Sequence, residues 1–140
     1  MIQRAGTVGA ILVNPAGQIL LQLREDRPGL AYPGHWTTLG GAMEPGEAPD
    51  AALRRELLEE IEMSPPIKLW RYFQRVRVDM VIDQYIYVGP VSRRVQDITL
   101  NEGQALGFFD LADLPALPIA FGFRPLFEAF FVTGRWRVCP

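Results

Sequence analysis

A chain of 140 residues, 49% hydrophobic and 21% charged, is sized for a single domain (residues 1–140) around one core and is too apolar for disorder. Its formal net charge of −2 excludes nucleic-acid binding through a strongly basic surface, and its one cysteine, Cys139, excludes an internal disulfide framework or a multi-cysteine zinc site. No apolar run approaches the roughly 18 residues of a membrane span and the start lacks signal architecture, so a cytoplasmic domain with no membrane partner is the default.

In chain order, residues 6–13 (GTVGAILV) and 18–23 (QILLQL) are apolar runs separated by the turn formers Asn14-Pro15-Ala16-Gly17, a predicted β-hairpin. Residues 25–34 form a charged, Pro/Gly-punctuated loop, and a short strand at residues 36–39 ends at Gly40-Gly41. Residues 48–61 are the clearest helix. Pro49 suits its first turn, Asp50 its N-terminal dipole, and Leu53, Leu57 and Ile61 make its core stripe. Ser64-Pro65-Pro66 stops it. Residues 67–78 and 81–88 read as strands paired through a turn near Asp79-Met80, and residues 105–109 as another. A Pro-rich turn region at 111–117 and a terminal helix over 123–132 complete an α/β (α+β) pattern with a mixed sheet.

The chemistry sits on the first helix. Glu56, Glu59 and Glu60, at i, i+3 and i+4, project toward one side, about a quarter-turn from the Leu53/Leu57/Ile61 stripe. Like charges at this spacing cost roughly 0.2–0.5 kcal/mol per pair, so a cation among them would relieve the arrangement. Hard carboxylate oxygens without neighbouring His or Cys favour Mg²⁺, Mn²⁺ or Ca²⁺ over zinc, and open positions on such a metal suit phosphates. The bland alternative for this helix alone is a solvated acidic face balanced by Arg54 and Arg55.

The wider spacing decides between them. Gly41 is followed after five residues by Glu47, and after seven more by Arg55-Glu56-Leu57-Leu58-Glu59-Glu60-Ile61-Glu62-Met63. This resembles the signature box of the Nudix hydrolases at every specified position but one: Glu62 stands where the box has Gly. Leu39, where many members have Pro, is a second departure. The approach Pro33-Gly34-His35-Trp36 and the segment Asn101-Glu102-Gly103 extend the likeness.

The resemblance implies a Nudix-like α/β/α sandwich around a mixed β-sheet and a Mg²⁺-dependent pyrophosphohydrolase, with Mn²⁺ as substitute. It would cleave a nucleoside diphosphate linked to another moiety. It further implies Glu56, Glu59, Glu60 and the Gly40 carbonyl as metal ligands, with Glu102 as a fourth carboxylate or general base and Glu59 as the other candidate base. Glu47 and Arg55 would form an orienting ion pair. A nucleoside triphosphate, oxidised forms included, stands first as substrate, before nucleotide sugars and dinucleoside polyphosphates. The ADP-ribose subgroup's downstream Pro is missing, and Leu20-Leu21-Gln22-Leu23-Arg24 matches the coenzyme A motif only in part. A non-catalytic nucleotide-binding domain is the rival from another class.

Arg24 and Arg27 are candidates for substrate phosphates. Tyr85 and Tyr87 share a strand face with Asp83, opposite Gln84 and Ile86. Tyr85 is a candidate to stack on a base, against sheet packing as the alternative. His35, the only histidine, reads as a structural loop residue. Phe121, Phe123, Phe127, Phe130 and Phe131 read as the seal of the terminal helix, any exposed remainder being a candidate homodimer patch.

Overall fold

Strand β1 (Gln3–Val13) organises the molecule, because its β-branched and aliphatic side chains alternate between two buried faces. The computed structural model describes residues 2–134; Cys139 lies outside them. Along one edge β1 pairs in parallel with β6 (Met80–Pro90), which pairs antiparallel with β5 (Lys68–Val76). The other edge of β1 is shared. Leu12 and Val13 pair with β2 (Ile19–Leu23), and Thr7 to Ala10 pair with β4 (Leu39–Ala42). Between them β3 (Trp36–Thr37) pairs with the end of β2, whose far edge carries β7 (Ala105–Phe109). Among the described residues these seven strands form one mixed sheet.

Helix α1 (Pro49–Ile61) covers one face, setting Leu53, Leu57 and Ile61 on Ala10, Leu12, Leu20, Leu39 and Tyr87. Each of these stripe residues is fully buried and contributes on the order of 1.5–3 kcal/mol. The opposite face, carrying Ile11, Val13, Leu21 and Ile86, is sealed by Phe123, Phe127, Phe130 and Phe131 from the C-terminal segment. The helix–sheet–helix layering expected from sequence is present. Among the described residues no helix is long and apolar enough to cross a membrane.

Three expectations change. The strand placed at 36–39 does not end at Gly40-Gly41; the chain switches partner at Thr38, leaving β2 and running beside β1 through Ala42. The terminal helix is α2 (Arg124–Ala129) followed by a wider turn over Phe130–Gly134, because Phe121 and Gly122 adopt positive φ and delay its start. The region 111–117 contains a 3₁₀ helix, Leu111–Ala116, closed by reciprocal bonds of Asp110 and Asp113. The partner switch at Thr38 matters most, since it opens the sheet between β2 and β4 beneath α1.

Candidate active site

Arg55 is the hub of the acidic edge. Its guanidinium donates to both Glu47 oxygens (Nε to Oε2 2.8 Å, Nη2 to Oε1 2.9 Å), to the Ala42 carbonyl (3.1 Å) and to Glu56 Oε1 (3.0 Å). The Glu59 carboxylate stands 3.4 Å from Nη1. Glu47 also accepts from the Glu44 amide at 2.9 Å. Bidentate pairing with Arg55, aided by that amide, holds the Glu47 carboxyl down at about 2. The 43–48 loop is thereby tied to the second turn of α1.

Glu60 is different in kind. It is 2% exposed, and its Oε1 accepts from the Gly40 amide at 2.8 Å. Burial, with the charges of Glu56 and Glu102 adding, pushes its carboxyl up to about 8. Burial likewise raises Glu56, above the opposing pull of Arg55. The two glycines beneath leave space that a side chain would take, Gly40 by necessity. Gly40 has φ +138°, and a Cβ there would lie 2.0 Å from the Val8 carbonyl oxygen, against the neighbouring strand. A Cβ at Gly41 would lie 2.8 Å from the Glu56 carboxylate carbon, so the missing side chain is the space that carboxylate occupies.

The C-terminal end of α1 anchors the remaining carboxylate. Glu62, in the place of the expected Gly, adopts the left-handed conformation (φ 56°, ψ 37°), with its amide bonded to the Leu58 carbonyl. Asn101 then holds the same end: its side chain donates to the Glu59 carbonyl and to Glu62, both at 3.0 Å, and its amide to the Glu60 carbonyl at 2.8 Å. These bonds offset a strain of roughly 1–2 kcal/mol at Glu62. They also fix the next residue, Glu102, whose carbonyl accepts from Gln22 at 2.8 Å.

A cleft of about 570 Å³ opens here, lined by Gly40, Glu60 and Glu102 and by Arg24 and Arg27. Glu56 and Glu59 do not line the cleft; both lie against Arg55 on the same helix as Glu60. Among the described residues no three carboxylates converge at coordination distance. The donor set nevertheless fits a hard divalent cation: hard oxygens only, a buried carboxylate short of positive charge, and a glycine cradle that clears the neighbouring one. Arg24 is partly buried, which lowers its pKa, and its Nε donates to the Ala31 carbonyl.

Tyr85 is not brought to this cleft. It lies on the α1 face of β6, its ring 5.0 Å from Tyr72 and packed against the core under α1, whereas Gln84 points to the other side. The physical reason is the strand's two-residue period.

Sequence reasoning missed a second cavity, of about 260 Å³, which shares Arg24, Thr38 and Gly40 with the cleft. Phe121 and Phe123 form part of its wall, and Thr7, Arg75 and Gln84 reach it from three strands. Arg24 and Arg75 stand 5.0 and 5.1 Å from the Phe121 ring centre, one cation each. The available signal was Gln84 on an inward position of β6, between the apolar same-face residues Ile82 and Ile86.

A family profile described as the NUDIX domain matches residues 3–130. The chain is 36% identical over 104 residues to the nucleoside triphosphatase NudI of Enterobacter sp. (strain 638), covering 66% of this chain and 71% of that one. Among solved structures, the E. coli ORF135 protein superposes with a TM-score of 0.77 at 28% identity, covering 99% of this chain and 96% of that one. The MutT protein from Methanosarcina mazei Go1 shares the fold, with a TM-score of 0.80 at 20% identity over 95% and 96% of the two chains.

Proposed function

The chain belongs to the Nudix family and is a pyrophosphohydrolase of acid anhydrides in phosphorus compounds, and from that premise we propose that it hydrolyses nucleoside triphosphates with Mg²⁺. The observation that carries the proposal is the pairing of two adjoining spaces, an acidic cleft edged by Arg24 and Arg27 and an aromatic-walled cavity beside it. The first suits a metal-bound polyphosphate and the second a nucleoside. The name of the NudI relatives supports the same substrate class.

Glu56, Glu59, Glu60 and the Gly40 carbonyl would hold the divalent ion, with Mn²⁺ able to replace Mg²⁺. When bound, that ion supplies charge neutralisation for the polyphosphate and acidifies water. Arg24 and Arg27 pair with phosphate oxygens and set the chain of phosphorus atoms along the cleft. Arg55 holds Glu56 in place and braces the helix through Glu47. Glu102 takes the proton from the attacking water, because it lines the cleft whereas Glu59 stands outside it against Arg55. Water oxygen bonds to one phosphorus, the anhydride P–O bond breaks, and the products are a nucleoside monophosphate and pyrophosphate.

The test is product analysis across nucleoside triphosphates, nucleotide sugars and dinucleoside polyphosphates with Mg²⁺, with and without a chelator. Monophosphate and pyrophosphate from triphosphates, lost on chelation, is the expected result. Turnover confined to nucleotide sugars or dinucleoside polyphosphates would contradict it.

A further inference from the structure

We infer that the second cavity reads the substrate's base through two hydrogen-bond donors, the Gln84 side-chain amide and the terminal nitrogens of the Arg75 guanidinium, and so favours guanine and uracil over adenine. This rests on the reading that the cavity takes the nucleoside.

Gln84 is 3% exposed and sits on β6 facing the cavity. Its Oε1 lies 2.7 Å from the Thr7 hydroxyl, the usual distance for O–H···O and short for N–H···O. The hydroxyl therefore donates to the amide oxygen, and the amide NH₂ is turned away from Thr7. Among the described residues it meets no acceptor. Arg75 pairs across the ladder with Ile82, which places its side chain on the Gln84 face of the sheet. Its Nε is buried without any partner among the described residues, which leaves the terminal nitrogens to meet a ligand, and its guanidinium carbon lies 5.1 Å from the Phe121 ring centre and 5.9 Å from that of Phe123. Among the described residues no carboxylate lines the cavity.

A ligand that fills this space must itself bring the acceptors, since a buried donor left unmet is costly. Guanine offers adjacent acceptors at O6 and N7, and uracil offers two carbonyls. Adenine has no carbonyl; each ring acceptor near its exocyclic group is flanked by the N6 amine, which would face a protein donor with a donor. The aromatic wall is indifferent to this choice, because every base has a π-face.

The test is calorimetric binding of GMP, UMP and AMP to the intact protein without metal, which reads the cavity apart from the chemistry. GMP and UMP should bind about 10-fold tighter than AMP. Gln84→Met should bring the three within about twofold, and Arg75→Met, which removes the guanidinium donors, should shrink the preference in part. Circular dichroism of each variant separates loss of fold from loss of selection. Equal affinities in the wild type, no binding of any of the three, or a preference that survives both folded variants would overturn the inference. Triphosphate turnover assayed in the same preparations fails independently: an inert protein that still prefers GMP and UMP contradicts the reaction and supports the base reading.

Discussion

The cleft and the cavity beside it are built in opposite ways. Glu60 of the cleft, the neighbouring Glu56 and Glu59 and the hub arginine come from six consecutive residues of one helix, Arg55 to Glu60, and the bonds from Arg55 to Glu47, Glu56 and Glu59 are short-range. The cavity is assembled from Thr7, Thr38, Arg75, Gln84 and Phe121, which belong to five separate segments. The lesson is that charge placement for phosphate chemistry can be rigid and local, whereas selection of the remaining substrate depends on how the sheet brings distant positions together. Substitutions should therefore separate rate from selection.

The largest effect falls in the cleft. Glu102→Gln should lower kcat by about 10²–10⁴ while leaving the fold intact, as steady-state kinetics and circular dichroism would report. An unchanged kcat would move the base to Glu59. Next, Arg55→Met should cost about 10–100-fold in activity or metal affinity, since it releases Glu47 and Glu56 together without removing a ligand.

The adjacent glycines sharpen the contrast within the cleft itself. Gly40→Ala forces a Cβ into the β1 backbone at positive φ and should destabilise by about 2–4 kcal/mol in denaturant titration. Gly41→Ala meets only the end of the Glu56 side chain, which can swing aside. It should spare stability and weaken Mg²⁺ binding.

A further effect is a pH dependence of stability without metal. Glu60 sits at about 8 in the folded state against about 4.3 unfolded, so the folded protein binds more protons between those values. Its contribution to stability accordingly falls as pH rises from about 4.3 to 8, with a slope of up to about 1.4 kcal/mol per unit. Glu60→Gln should flatten that slope in chemical denaturation. Glu47 acts in the opposite direction: its stabilisation is present above about 4.5 and is lost as pH falls toward 2.

What can be read from sequence follows the same division. A helix has a fixed period, so the spacing of Glu56, Glu59 and Glu60, together with the box from Gly41 to Met63, is enough to locate the acidic edge. The layered fold is legible too, through the stripe of Leu53, Leu57 and Ile61 and the alternation in β1. The switch at Thr38 is not. Trp36 to Leu39 reads as one continuous strand, and which neighbour it pairs with is decided by residues far along the chain. The strand period sorts Tyr85 onto one face with Tyr87, but which face of the sheet borders the ligand spaces depends on where the C-terminal aromatic segment packs. The donors of Gln84 and Arg75 become visible only when Thr7 is seen to take up the amide oxygen.

One kinetic panel tests the division of labour most directly: kcat/KM for GTP, UTP and ATP with Mg²⁺, in the wild type and Glu102→Gln. The account predicts hydrolysis of all three by the wild type with ATP the poorest, and a common fall in Glu102→Gln that leaves the ratios intact. Ratios that collapse in Glu102→Gln, or a wild type inert toward every triphosphate, would contradict it.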